Sequence, residues 1–346
     1  MTRAGQAVTD AFRQQIAWCR TDHGAPFTAD LLAALLRDFE AGGDWRRLLG
    51  NWPADPMTDA VTLRAAGALH RLALMNTDPF AGLFARLDRD PETLDGAVRL
   101  AGARDDVPAW LANPPQTNEV MRSAVLLGGF FEIVRAQGLP LNLREMGSSG
   151  GLNLNWDRYR YRLGDTFWGA KNSLVHLEPR WTGPSPQAAH VTVLSRRGVD
   201  QLPVDLSDRD ARLRLLSYVW ADQADRVARV RGALELATAD PPAVDRGDAA
   251  DWAEARLAEL AEGRTTVLYH SYVWHYLPNA AQQRIREALA RAGESATADR
   301  GLAWLSYEGD GNVETPALKL TVWPGGKTRR LARGHPHGRW IEWLAK

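Results

Sequence analysis

From residue 140 to the end of the chain, stretches with a β-strand pattern alternate with stretches that have a helix pattern. Strand patterns occur in LNLREM, HVTVLS, PAVD, TTVLYHS and LAWLSYE. Strands separated by helices form βαβ units and a mainly parallel sheet. The last two strand patterns flank Pro324-Gly325-Gly326, a tight turn, so these strands must be antiparallel. We therefore predict an α/β fold, with a Rossmann-like, mostly parallel sheet and a C-terminal antiparallel hairpin.

Residues 1–139 have the pattern of helices. Apolar residues recur at helical spacing, as at Leu31, Leu35 and Phe39. Thr28 or Asp30 is the expected cap of one helix, and Thr117 that of another. We predict a helical N-terminal domain or lid at 1–139 and an α/β domain at 140–346. The alternation in DRYRYRLGDTFWG adds a β-hairpin insertion at about 158–182.

Composition narrows the possible partners and location. Lys plus Arg and Asp plus Glu both number 42, and the pI is about 7.1. This balance argues against nucleic acid or an anionic membrane as the main partner and leaves a small-molecule substrate. Cys19 is the only cysteine, so no internal disulfide can form. With neither a signal peptide pattern nor a long apolar run, we expect a cytoplasmic protein of undetermined oligomeric state.

The turn after the first strand carries a known type of motif. Glu145 lies two positions before the small residues Gly147, Ser149 and Gly151. This pattern resembles the first motif of class I S-adenosylmethionine-dependent methyltransferases, with serine in place of the middle glycine. The later GDAADW segment and the closing hairpin add to the resemblance. This resemblance implies S-adenosylmethionine as cofactor and puts Asp248 near the adenine amino group.

The resemblance to methyltransferases does not extend to the acidic residue that normally binds the ribose of the cofactor. An acidic residue at the end of the second strand normally binds the ribose. We predict that this strand ends at Ser195, so Asp200 or Asp205, just beyond it, would have to replace that residue. The fourth motif of the family corresponds to the segment YHSYVWHYLP, from Tyr269 to Pro278.

A second resemblance covers nearly the whole chain. It is to a bacterial family known only as a domain of unknown function, and it implies no particular reaction. The matching segments are Thr-Asn-Glu at 117–119, GLNL to DRYRY at 151–161, RRG to Asp at 196–205, VWHYLP at 273–278 and HPHGRW at 335–340.

Glycines and small serines let a backbone approach a ligand closely, and Glu145 could bind its ribose or ammonium group. The alternative is a strand–helix corner in which the glycines serve packing. The predicted cofactor-binding residues are Glu145, Gly147, Ser148, Ser149, Gly151, Asn153, Asp200, Asp248 and Ser271.

Three histidines are candidate catalytic residues. His270 ends a probable central strand and could act as a general base. His335 and His337 would lie near the substrate. The alternatives are a hydrogen-bonded structural histidine and a surface turn. No acidic residue stands at ligand spacing from the histidine pair, so we predict no metal.

The predicted substrate-binding residues are Asn118, Glu119, Asp157, Trp274 and Arg339. An internal Arg–Asp ion pair is the alternative for Arg196 and Arg197. The leading functional prediction is methyl transfer from S-adenosylmethionine to a small molecule. The alternatives are a non-catalytic ligand-binding protein on a degenerate fold, and another transferase or a hydrolase that uses the Gly/Ser-rich turn.

Overall fold

The computed structural model describes residues 2–21, 24–311 and 315–345. Its helices are α1 (Arg3–Thr21), α2 (Pro26–Ala41), α3 (Asp44–Leu49), α4 (Val61–Leu74), α5 (Phe80–Arg86), α6 (Pro91–Gly102), α7 (Val107–Leu111), α8 (Arg122–Gln137), α9 (Arg209–Ser217), α10 (Ala224–Ala239), α11 (Ala249–Leu257) and α12 (Asn279–Glu294). Within the described ranges, none of them has the length and apolar composition needed to cross a bilayer.

The strands are β1 (Leu141–Met146), β2 (Arg160–Leu163), β3 (Thr166–Trp168), β4 (His176–Leu177), β5 (Arg180–Thr182), β6 (Val193–Asp200), β7 (Ala243–Arg246), β8 (Arg264–Ser271), β9 (Arg300–Glu308), β10 (Ala317–Trp323), β11 (Lys327–Gly334) and β12 (Trp340–Trp343). Short 3-10 helices lie at Leu152–Arg158 and Trp274–Tyr276.

Nine strands form the main sheet in the order β5-β12-β11-β10-β9-β8-β1-β6-β7. The run β7-β6-β1-β8-β9 is parallel throughout. From β9 to β12 the strands are antiparallel, and β5 joins β12 in parallel at the edge. The predicted α/β fold class is confirmed, and the antiparallel part is longer than the single predicted hairpin.

The second strand of the parallel run extends further than its sequence pattern indicated. We expected it to end at Ser195, but β6 continues to Asp200. Its register places Val199 opposite Met146 of β1. Residues 196–200 were misjudged because the Arg-Arg-Gly stretch looks like a loop, whereas hydrogen bonding on both sides of β6 keeps it extended.

The segment between β1 and β6 contains a second, three-stranded sheet. β2 and β3 form an antiparallel pair that turns at Gly164-Asp165, and β4 lies parallel to β2. The alternating pattern around this turn therefore corresponds to a β-hairpin. The segment also supplies β5 to the edge of the main sheet.

The chain divides into two compact units. The first contains residues 1–117 and 208–231, and the second contains residues 118–207 and 232–346. We predicted a boundary near residue 140, but α8 belongs to the unit that contains the sheet, and α9 belongs to the helical unit. Whether the helical unit acts as a lid stays a prediction.

The start of α2, in the first unit, depends on a residue distant in sequence. α2 begins at Pro26, so the predicted caps Thr28 and Asp30 lie inside the helix. Instead, the carboxylate of Asp222 accepts hydrogen bonds from the backbone N–H groups of Phe27 and Thr28, at 2.7 and 2.9 Å. In the unit that contains the sheet, α8 begins at Arg122, five positions after the predicted cap Thr117.

Candidate functional site

The carboxyl ends of β1 and β8 meet at the point where the order of the parallel strands reverses. In chain order the parallel strands are β1, β6, β7, β8 and β9, and β1 lies between β6 and β8 in the sheet. Open α/β sheets bind ligands in the crevice at such a switch point. Eight of the seventeen predicted site residues lie at or just after these strand ends, in the segments 145–151 and 270–274.

Glu145 lies near the end of β1 and is buried. Its neighbour on β8, Tyr269, donates its hydroxyl to the carbonyl oxygen of Asn153 at 3.4 Å, and Oε2 of Glu145 has no hydrogen-bond partner among the described residues. Burial, and then the negative charge of Asp200, raise the pKa of Glu145 well above its ordinary value. A buried acceptor without a donor costs about 1–3 kcal/mol. Oε2 is therefore a point where a ligand hydroxyl or ammonium group would be stabilised.

Gly147 and Gly151 both require the left-handed backbone, with φ of 65° and 71°. A Cβ atom on Gly147 would lie 2.2 Å from Cγ2 of Val273, and one on Gly151 would lie 2.6 Å from Cγ of Pro242. At both glycines, the group that lies close to the backbone is therefore a side chain of the protein and not a ligand. This geometry favours the packing alternative for the two positions.

The serines of the turn contact the end of β6. Ser148 Oγ donates to the carbonyl oxygen of Val199 at 3.2 Å. Ser149, which replaces the middle glycine of the motif, has a φ of 53° and donates its N–H to Asp200 Oδ2 at 2.8 Å. Its buried Oγ has no hydrogen-bond partner in the described part of the chain. Ser149 and Asp200 thus add a second set of polar groups beside Glu145.

Asp248 and Asn153 hold the local backbone. Asp248 is the N-cap of α11, and its Oδ1 accepts hydrogen bonds from the N–H groups of Ala250 and Asp251 at 2.8 and 3.1 Å. Asn153 is buried, its Oδ1 accepts from Ser123 Oγ at 2.7 Å, and its amide group donates to a backbone carbonyl. Both polar atoms of the Asn153 side chain are therefore bonded within the protein. The side chain of Asp248, in contrast, is exposed to solvent.

Two residues that we predicted to bind substrate make hydrogen bonds within the protein. Asp157 forms a two-pronged ion pair with Arg196, with N–O distances of 2.7 and 2.9 Å. Asn118 Oδ1 accepts from the N–H of Leu152 at 2.8 Å. Arg196 therefore forms an internal ion pair, as the alternative interpretation expected, and so does Arg197, which pairs with Asp245.

His270 is enclosed by hydrogen bonds on both ring nitrogens. Nδ1 lies 2.7 Å from Oε1 of Glu308, and Nε2 accepts from the indole N–H of Trp304 at 3.1 Å. Because an indole N–H can only donate, Nε2 carries no proton, and the ring is neutral with its proton on Nδ1. The ring also stacks on Trp274 at 5.1 Å. This geometry matches the structural alternative, since no nitrogen is left for a general base.

Glu308 accepts hydrogen bonds both from His270 and from the loop that follows β8. Burial alone would raise its pKa, but hydrogen bonds from His270 and from the N–H groups of Val273 and Trp274 outweigh burial and lower the pKa below its ordinary value. The carboxylate is therefore ionised, and it fixes the loop that follows β8. Its second oxygen lies 3.9 Å from Nδ1 of the exposed His275.

The remaining candidates lie around the turn between β11 and β12. Nδ1 of His337 lies 3.4 Å from Oε2 of the buried Glu119. Nδ1 of His335 accepts from the N–H of His337 at 3.0 Å. Arg122 links this turn to the end of β8, because it donates to the carbonyl oxygens of Pro336 and Ser271 at 2.9 and 3.3 Å. The carbonyl oxygen of Arg339 accepts from Arg180 on the edge strand β5.

Sequence reasoning missed Tyr269, Glu308, Arg122 and Trp304. Glu308 had a usable signal, because it ends a parallel strand, and such ends line the crevice of an α/β sheet. Arg122 lies in a helix and had no signal. In the described ranges, no group of three or more His, Cys, Asp or Glu side chains is arranged to hold a metal ion.

The parallel run, its switch point and the polar groups around it define an α/β protein with a candidate ligand site at the carboxyl edge of its sheet. Residues 9–343 match the family described as an uncharacterized protein conserved in bacteria (DUF2332), and the chain belongs to this family. Among the curated proteins, none matches the chain. A solved structure titled "DhpI-SAH complex structure" is similar over 62% of this chain and 76% of that chain, with 11% identity and a TM-score of 0.21. A likeness this distant carries no argument about function.

Proposed function

We propose that the protein binds S-adenosylmethionine at the carboxyl ends of β1, β6 and β8 and uses it to methylate a small molecule. The observation that carries the proposal is a pair of acidic side chains at the ends of adjacent strands. Glu145 lies next to the last residue of β1 and has an unsatisfied buried oxygen, and Asp200 ends β6 close enough to raise the pKa of Glu145.

The acidic residue at the end of β6 is what a ribose site needs. Carboxylates in this position of α/β sheets bind the hydroxyl groups of a nucleoside. Asp200 accepts two backbone hydrogen bonds, from Ser149 and Leu202. Since a carboxylate has about four acceptor sites, it retains capacity for a ligand. Glu145 Oε2 and Ser149 Oγ would accept further donors from the same molecule.

Two further predicted residues, Asp248 and His270, have different roles in this proposal. Asp248 would accept from the adenine amino group through the oxygen that does not cap α11. S-adenosylmethionine supplies the electrophilic methyl group, and the protein mainly aligns it with the acceptor. Because both nitrogens of His270 are occupied, the proposal assigns that residue to support of the loop beside the site.

Binding without catalysis is the second candidate function. It is favoured by Val273, whose side chain occupies the space in front of Gly147 that a cofactor would approach. A degenerate site of this kind would retain polar contacts to a ligand but would not align a methyl group.

Calorimetry on the whole chain tests the proposal. We expect S-adenosylmethionine and S-adenosylhomocysteine to bind with dissociation constants in about the micromolar range, and ATP and NAD not to bind. Glu145→Gln keeps the shape of the side chain and replaces one of its two oxygens with an amide nitrogen, which cannot accept a hydrogen bond, and should weaken binding about tenfold. A folded sample that takes up neither methionine-derived ligand would refute the proposal.

A further inference from the structure

The helical unit contains a cavity that the proposed function does not use. Its volume is about 400 Å³, within the range of about 300–1,000 Å³ that is typical of small-molecule sites. The walls come from the α3–α4 connection and from α7. The lining residues are Leu48, Trp52, Pro53, Asp59, Arg64, Pro108, Leu111 and Ala112.

A buried arginine forms part of this wall. Arg64 is 6% exposed. Its Nε donates to the carbonyl oxygen of Asp59 at 2.7 Å, and its Nη1 donates to that of Leu111 at 2.8 Å. Both bonds use neutral acceptors, and no carboxylate of the described chain lies within 4.0 Å of its guanidinium group. The positive charge of Arg64 is thus buried without a counter-ion.

One nitrogen of the guanidinium group makes no hydrogen bond to the described part of the protein, and we infer that it faces the cavity. Nη2 has no acceptor in the described ranges, and it is not among the polar atoms that are sealed from solvent. Because Arg64 lines the cavity, this open edge is where Nη2 meets solvent.

Trp52 keeps this arrangement rigid. The guanidinium carbon of Arg64 lies 5.2 Å from the centre of the Trp52 ring. The indole N–H donates to Oδ2 of Asp59, which also lines the cavity, at 2.8 Å, so that oxygen is already bonded to Trp52. The cation is therefore held over an aromatic face, with one edge open.

We propose that this cavity binds a small carboxylate with an apolar body. Burial removes most of the hydration of the Arg64 guanidinium group, and an anion that pairs with its open edge would offset part of that cost. Leu48, Pro53, Pro108 and Leu111 would contact the apolar part of the ligand. The proposal for this cavity does not rest on S-adenosylmethionine binding.

Calorimetry with 3-phenylpropionate tests the charge requirement, with 3-phenylpropanamide as the neutral control of the same shape. We expect the acid to bind at least about tenfold more tightly than the amide, because only the acid can pair with Arg64. Equal affinities, or no binding of the acid by folded protein up to about 10 mM, would overturn the proposal.

Two variants locate the binding. Arg64→Gln should abolish the preference for the acid, whereas Arg37→Gln should not change it, since Arg37 is exposed and pairs with Asp95. If Arg64→Gln fails to fold, Ala112→Trp serves instead, because it fills the exposed edge of the cavity and leaves the guanidinium group in place. Unchanged affinity in a folded Ala112→Trp protein would exclude this cavity.

Discussion

At the residue scale, the surroundings of His270 decide its role. His270→Phe keeps a ring that can stack on Trp274, but it removes the hydrogen bonds to Glu308 and Trp304. We expect the free energy of unfolding to fall by about 3 kcal/mol, because a buried carboxylate loses a donor and a buried indole N–H loses its acceptor. Urea unfolding measures this loss.

His275 provides a matched control at the same scale. It approaches the same carboxylate, Glu308, but only at 3.9 Å, and its side chain is 52% exposed. His275→Phe should therefore change the unfolding free energy by less than about 0.5 kcal/mol. Similar losses in the two variants would mean that the hydrogen bonds of His270 do not stabilise the fold.

At the scale of single elements, Asp248 combines a helix cap with a predicted adenine contact, and two substitutions separate these roles. Asp248→Ala removes the cap of α11 and should cost about 1 kcal/mol in unfolding free energy. Asp248→Asn keeps a capping side chain, so stability should hold while binding of S-adenosylhomocysteine weakens. Urea unfolding and calorimetry provide the two measurements.

The neighbouring carboxylate is the control for that comparison. Asp251 lies in the first turn of the same helix and its side chain is 70% exposed. Asp251→Asn should leave binding unchanged. If Asp248→Asn binds as tightly as the unaltered protein, the adenine contact is misplaced, although Glu145 and Asp200 could still bind the ligand.

At the scale of the whole molecule, buried histidine makes stability depend on pH. His70 lies in the core of the helical unit, where burial lowers its pKa from 6.5 to about 4 despite the hydrogen bond between Nδ1 and the carbonyl oxygen of Ser217. Between these two values the unfolded chain binds a proton that the folded chain does not. Stability therefore falls as the pH decreases from about 6.5 to 4.

We expect this residue to account for about 2 kcal/mol of lost unfolding free energy between pH 7 and pH 5. His70→Gln removes the titrating group, so its urea unfolding should depend less on pH by that amount. An equal pH dependence in the two proteins would contradict the prediction, whatever the absolute stability of the variant.

The sequence by itself determined the elements whose signals are local. The alternation of strand and helix patterns indicated the α/β class, and the glycines at 325–326 indicated the antiparallel turn between β10 and β11. The acidic residue and glycines after β1 indicated where a ligand site would lie. The predictions of the fold class and of the turn succeed because side-chain periodicity and backbone preference act between residues that are close in the chain, whereas the ligand site stays a prediction.

Only the tertiary structure decided which groups meet. Asp222 caps α2 from 194 residues away, Val273 fills the space beside Gly147, and Glu308 with Trp304 occupies both nitrogens of His270. In each case the partner comes from a distant part of the chain. A buried polar group is satisfied by whatever the fold brings to it, so its role depends on packing, which local sequence does not encode.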